Sequence, residues 1–237
     1  MTHSMHRPMN RRVLIPAAAL CWLGVAAIAI AVHGGNADAL DRAGLLFWRG
    51  DTMQPLGPKG LLEAVRDVTA LGGVFLRNLF AIGAVAALLF LRQRRDAALF
   101  ALTVMSGWLV NSGLKALVGR ARPEIVPHLT EAGGNSFPSG HSFNAAVVYI
   151  AMALAFAAMS NRSSVHRTLV GAAIVGTLAI AWSRVWLGVH WPSDAIAGWL
   201  GGAGWAFLAC ALFQRPAQLA AEAISDLDSP PEPSPKH

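Results

Sequence analysis

The sequence predicts an all-α membrane protein, a polytopic helical bundle with six transmembrane helices. Three observations predict it. Hydrophobic residues make up 54% of the 237-residue chain and charged residues only 14%, where a soluble domain carries about a quarter charged residues. Six apolar stretches approach the roughly 20 residues that a spanning helix needs. The arginines between them fall in alternate connections, as in a chain that crosses a bilayer repeatedly. The net charge of +6 therefore reads as a topology signal, and no nucleic-acid partner is expected.

The stretches cover residues 13–32, 74–91, 97–117, 142–159, 168–187 and 195–213. Arg7, Arg11 and Arg12 precede the first. Arg92, Arg94 and Arg95 link the second to the third, and Arg162 and Arg167 link the fourth to the fifth. With six crossings these connections share one side, which the positive-inside rule makes cytoplasmic. Segments 33–73, 118–141 and 188–194 lie on the opposite face. Ala37-Asp38-Ala39 resembles a signal-peptide cleavage site, but the apolar run before it exceeds the usual signal core of roughly 7–15 residues. The first span is expected to be an uncleaved helix.

Between spans one and two, Gly57-Pro58-Lys59-Gly60 marks a turn. Apolar residues follow at 61, 62, 65 and 68 with helical spacing. They predict a short amphipathic helix, lying at the outer surface or packed against the bundle. Residues 1–12 are expected to form a cytoplasmic N-terminus and residues 13–213 the six-span domain. After Arg215-Pro216 the chain turns polar, and the prolines between 230 and 235 cannot continue a helix. Residues 214–237 are expected to be a disordered cytoplasmic tail. Cys21 and Cys210 sit singly in apolar runs, as small buried hydrophobes do.

Polar residues cluster where the bilayer makes them costly. Lys115 and Arg122-Pro123 flank the end of the third span, with Arg120 between them. A lysine offers a point charge and an arginine a planar fork that matches two phosphate oxygens. Taken alone, Lys115 reads equally as a snorkelling helix end. Pro138-Ser139-Gly140-His141 opens the fourth span. Ser139 and Gly140 fall at a helix N-terminus, whose free N–H groups favour an anion. An ordinary serine cap explains Ser139 and leaves His141 unused. Ser183-Arg184 closes the fifth span, and His190 and Asp194 follow, four residues apart. A carboxylate on one imidazole nitrogen leaves the other free to attack, although Asp194 also reads as a cap for span six. All three segments lie on the extracytoplasmic face. Three fixed cations, two histidines and a carboxylate suit a phosphate ester.

In order, the segments read K-x6-RP, PSGH and SR-x5-H-x3-D. This pattern resembles the type 2 phosphatidic acid phosphatase (PAP2) superfamily, membrane lipid phosphate phosphatases related to vanadium haloperoxidases. The motifs run from Lys115 to Asp194, and the six-span layout extends the likeness over most of the chain. The resemblance implies a PAP2/haloperoxidase-like helical core. It implies His190 as the nucleophile forming a phosphohistidine, Asp194 as its orienting carboxylate, and His141 as acid and then base. Lys115, Arg122, Arg184, Ser139 and Gly140 would hold the phosphoryl oxygens. No metal or cofactor is expected, because fixed cations supply the charge. The cations also lower the pKa of His190, which favours a neutral nucleophile.

The substrates implied are lipids of a bacterial inner membrane: undecaprenyl diphosphate, phosphatidylglycerol phosphate, phosphatidic acid or lipid A phosphate. A phosphotransferase would use the same residues, with an alcohol in place of water. A lipid or anion transporter would use the cations but not the His190–Asp194 pairing. A haloperoxidase fits neither the membrane bundle nor the spacing of the third segment. Trp182, Trp186 and Trp191 surround that segment, as an interfacial aromatic belt or as the lining of a lipid entry slot.

Overall fold

The computed structural model describes residues 11–58 and 60–228, which form eight helices: α1 (Arg11–His33), α2 (Asp38–Leu46), α3 (Leu61–Gly72), α4 (Val74–Phe90), α5 (Arg94–Val118), α6 (Gly140–Ala157), α7 (Ser163–Trp186) and α8 (Pro192–Asp228). Helices α1, α5, α6, α7 and the part of α8 from Pro192 to Leu212 are each long and apolar enough to cross a membrane. Helices α3 and α4 meet the same test only as a pair, bent by 48°. The described residues thus hold five candidate spans, or six if the bent pair counts as one, and the expected stretch 74–91 corresponds to α4. Gly73 makes the break, with extended backbone between the two helical segments. Val65, Thr69 and Gly72 form the buried stripe of α3, which packs against α7 and α6. Of the two roles open to the amphipathic helix, α3 takes the one against the bundle.

Helix α6 runs through the centre, with α5, α7 and α8 against it. Lipid tails are as apolar as leucine, so spanning helices associate by close packing rather than by escape from water. The sequence meets that demand with small residues. Gly198 and Gly202, one turn apart on α8, face α6. A Cβ on Gly198 would stand 2.6 Å from the Ser139 carbonyl oxygen, and one on Gly202 would collide with the Phe143 carbonyl oxygen. Backbone at that distance cannot rotate away. Gly202→Ala should cost roughly 1–3 kcal/mol through overpacking, read as a lower thermal midpoint in detergent. An unchanged midpoint would contradict this packing.

The other side of α8 holds α1, whose buried stripe is Leu14, Ala18 and Val25. Leu20, Leu23 and Ile30 point outward from the same helix, which is apolar all round as a lipid-facing helix is. Cys21 and Cys210 pack against the cluster of Ala146, Ile150, Leu154, Ala203 and Ala206, as small hydrophobes do.

Helix α8 extends to Asp228, which corrects the disordered tail expected from residue 214. Pro216 does not end the helix, because Ala217-Gln218-Leu219-Ala220-Ala221-Glu222-Ala223 consists of strong helix formers. The proline-rich stretch 230–235 and residues 1–10 lie outside the described residues.

Alternation of the spans sets the site. Helices α5 and α7 end where α6 and α8 begin. The last turns of α5 and α7 carry Lys115 and Arg184, and the first turns of α6 and α8 carry His141 and Asp194. Four helix ends thus bring their polar residues to one end of the bundle. The arginines of the 92–95 and 162–167 connections lie at the other.

Candidate active site

His190 lies in the short connection from α7 to α8 and is 2% exposed. Ser136 Oγ sits 3.2 Å from its Nδ1 and donates to Asp194 Oδ2 at 2.5 Å. The direct Nδ1–Oδ2 separation is 3.6 Å, too long for a hydrogen bond. The carboxylate therefore reaches the imidazole through the serine hydroxyl. Because the Ser136 proton goes to Asp194, its oxygen accepts from Nδ1–H. That assigns the proton to Nδ1 and the lone pair to Nε2. Arg122 Nη1 stands 3.1 Å from Nε2, on the lone-pair side. Burial pushes the His190 pKa down to about 4, with Arg122 and Arg184 pushing the same way and Asp194 opposing them.

Asp194 is fully buried and has its oxygens filled. Oδ1 accepts from Arg120 Nη1 at 2.8 Å, and Oδ2 also accepts from the Trp191 amide at 3.1 Å. Burial alone would lower the Arg120 pKa, but the Asp194 and Asp41 carboxylates outweigh it and raise it. The Trp191 ring lies under the Arg120 guanidinium at 5.3 Å.

The expected phosphate ligands converge from three helices and a loop. Ser139 is the N-cap of α6, and its Oγ accepts from the Ser142 amide at 3.4 Å. The Ser139 amide donates to the Asp194 carbonyl oxygen at 3.0 Å, which ties the start of α6 to the start of α8. A Cβ on Gly140 would stand 3.5 Å from Lys115 Cε, so the lysine crosses the open face of the α6 N-terminus. Lys115 Nζ donates to the Asn135 carbonyl oxygen at 2.6 Å. Arg122 donates to the carbonyl oxygens of Gly133 at 2.7 Å and Val189 at 2.7 Å, which fixes its fork. Arg184, 2% exposed, donates through Nη1 to Thr69 Oγ1 at 2.9 Å. Its Nε is buried with no acceptor. His141 lies within electrostatic reach of Arg184, His190, Arg77 and Arg122. Its ring packs where a Cβ on Gly72 would stand 3.4 Å from His141 Cδ2. Glycine at the end of α3 leaves room for the histidine.

Sequence reading assigned no role to four of these residues. Arg120 sits inside the first segment and Ser136 two residues before the second, and their spacing gives no sign of a bridge. Arg77 on α4 is buried and donates to the Gly72 carbonyl oxygen at 3.3 Å across the break. An arginine inside an apolar run was its signal. Asp41 on α2 binds Arg120 from segment 33–73, which carries no motif residue. Trp186 is not part of a belt. It is 1% exposed and packs with Val65, Leu187 and Val189. Among the described residues no three His, Cys, Asp or Glu side chains are grouped as metal ligands.

A family model described as the PAP2 superfamily matches residues 96–217. Phosphatidylglycerophosphatase B of Bacillus subtilis is 37% identical over 141 residues, which cover 58% of this chain and 68% of that protein. A lipid A 1-phosphatase of Rhizobium johnstonii is 36% identical over 128 residues, which cover 50% of this chain and 48% of that protein. The crystal structure of a transmembrane PAP2-type phosphatidylglycerolphosphate phosphatase from Bacillus subtilis superposes with a TM-score of 0.72 at 27% identity. It covers 84% of this chain and 96% of that one.

Proposed function

The chain belongs to the PAP2 superfamily, and on that premise we propose that it is an integral membrane hydrolase of lipid phosphomonoesters or diphosphates. The observation that carries this reading is the engaged Nδ1 of His190, which leaves the lone pair on Nε2, where Arg122 Nη1 donates to it at 3.1 Å. Nε2 attacks phosphorus in line, and a phosphohistidine forms as the bond to the leaving oxygen breaks, the lipid's own oxygen in a monoester and the bridging oxygen in a diphosphate. His141 gives its proton to the leaving oxygen. It then takes a proton from the water that attacks the phosphohistidine, so the enzyme returns to its starting state and phosphate leaves. Acid–base assistance of this kind contributes about 10²–10⁴-fold in rate.

Arg122, Arg184, Lys115, Ser139 and the Gly140 amide hold the phosphoryl oxygens. The buried, unpartnered Nε of Arg184 supports this assignment, since a phosphoryl oxygen supplies the acceptor it lacks. These fixed cations offset the developing charge without a metal. The positive-inside distribution supports a site facing the periplasm from a bacterial inner membrane. Lipid tails would lie among the spans.

A phosphate-release panel in detergent tests the reading. Phosphatidylglycerol phosphate, phosphatidic acid, undecaprenyl diphosphate and lipid A phosphate serve as substrates, with EDTA present. Release from at least one is expected; release from none would contradict it. The pH dependence follows from the depressed pKa of His190. Above that pKa the ring is neutral and nucleophilic, and below it Nε2 carries a proton. The acid limb of kcat/KM should therefore lie below the ordinary histidine value of about 6.5. A nucleophile that loses activity at or above that value would contradict the buried, neutral imidazole.

A further inference from the structure

We infer that Asp41, on α2, is a positioning residue for His190, acting through Arg120 and Asp194; this rests on the assignment of His190 as nucleophile. Asp41 is 2% exposed, and each of its oxygens is engaged. Oδ2 accepts from Arg120 Nη2 at 2.7 Å and from Ser193 Oγ at 2.6 Å, and Oδ1 accepts from the Ser193 amide at 2.8 Å. Arg120 Nη1 bonds Ser193 Oγ at 2.7 Å and Asp194 Oδ1 at 2.8 Å. Asp41 thus grips both the first turn of α8, which carries Asp194, and the guanidinium that holds the Asp194 side chain. A carboxylate at that helix end also complements the dipole.

Charge balance gives the contact a catalytic consequence. Attack by Nε2 places positive charge on the imidazole, which Asp194 must offset through Ser136. Asp194 and Arg120 alone form a neutral pair. With Asp41 the group holds two carboxylates and one guanidinium, a net charge of −1 beside the nucleophile. Asp38 stands 3.8 Å from the same guanidinium but is 67% exposed at its side chain, so solvent screens it. Among the described residues, the other charged and titratable groups around His190 are Arg122 from the loop, Arg184 from α7, His141 from α6 and Lys115 from α5, which interacts with Asp194, Arg122 and Arg184. None of them supplies negative charge.

The test is Asp41→Asn in the full chain, purified in detergent and assayed by phosphate release from a lipid phosphate. Loss of the partner behind a metal-bound histidine costs about 10–100-fold; by analogy a fall on the order of 10-fold is expected here, with kcat and kcat/KM falling together and KM unchanged. The acid limb of kcat/KM should also move to lower pH, because the imidazolium loses nearby negative charge. A role in bundle stability alone would lower the active fraction and leave the limb in place. An unmoved limb with kcat within twofold of the parent would overturn the inference. Should the Asn variant fail to fold, Asp41→Glu is read instead. It keeps the charge, so the limb should stay while kcat drops severalfold; parental kcat or a shifted limb would overturn the inference. His190→Ala in the same assay separates the two claims. Activity in that variant would sink the nucleophile assignment itself. An inactive His190→Ala beside a parental Asp41→Asn would sink only the positioning role.

Discussion

His190→Ala should lower phosphate release from a lipid phosphate by at least about 10⁴-fold, the scale on which enzymes with covalent intermediates lose activity without their nucleophile. The ring is 2% exposed and lies among Ser136, Asp194 and Arg122. No other nucleophile takes its place. Ser136 Oγ is committed to Asp194, and Ser139 Oγ caps α6. Substrate binding should survive, because Arg122, Arg184 and Lys115 remain. Turnover at a tenth of the parent rate would show that attack comes from elsewhere.

Asp194→Asn carries the second large effect. Its shape is unchanged, but its hydrogen-bond chemistry is not. In the parent, one carboxylate oxygen receives Arg120 and the other receives Ser136 and the Trp191 amide. An asparagine NH2 must face donors at either position. If it faces Ser136, the serine accepts from it and turns its own proton toward His190 Nδ1. The imidazole proton then moves to Nε2, and the attacking lone pair is lost. The same substitution behind a catalytic histidine in Ser-His-Asp enzymes costs about 10⁴-fold through the wrong tautomer. A fall in kcat on the order of 10³–10⁴-fold is expected, with KM little changed. The part-buried Arg120 loses charge complementarity with the fully buried position 194 as well, so the thermal midpoint should drop. A kcat within tenfold of the parent would contradict the relay through Ser136.

The sequence made much of the fold legible where apolar length carried it. The stretches at 13–32, 97–117, 142–159, 168–187 and 195–213 each overlap a spanning helix. The stretch 74–91 coincides with α4, which passes as a span only together with the bent α3, where hydropathy falls across Glu63, Arg66 and Asp67. Helix α3 keeps Glu63 and Arg66 exposed as an i,i+3 pair while its apolar stripe packs inward. Residues 214–228 continue α8, where a run of alanines outweighs Pro216 and the polar composition. In the site, histidines and cations were legible from chemistry at fixed spacing. Ser136, Arg120 and Asp41 were not, because their roles depend on three-dimensional proximity. Asp41 meets Arg120 across 79 residues of sequence. No local pattern encodes that distance.

The central claim is that phosphorus passes through a covalent bond to His190 Nε2, and trapping that bond tests it most directly. An aryl phosphate labelled at phosphorus has a leaving group that needs no proton. His141→Asn should therefore still be phosphorylated by it but hydrolyse the product slowly, for want of a base. Rapid denaturation in alkali should leave label on the protein, stable to base and lost in acid, as a phosphohistidine is. Peptide mapping should place the label on His190, and the His141→Asn/His190→Ala double variant should carry none. Label on another residue, or phosphate release from the parent with no labelled protein under any trapping condition in His141→Asn, would contradict the account.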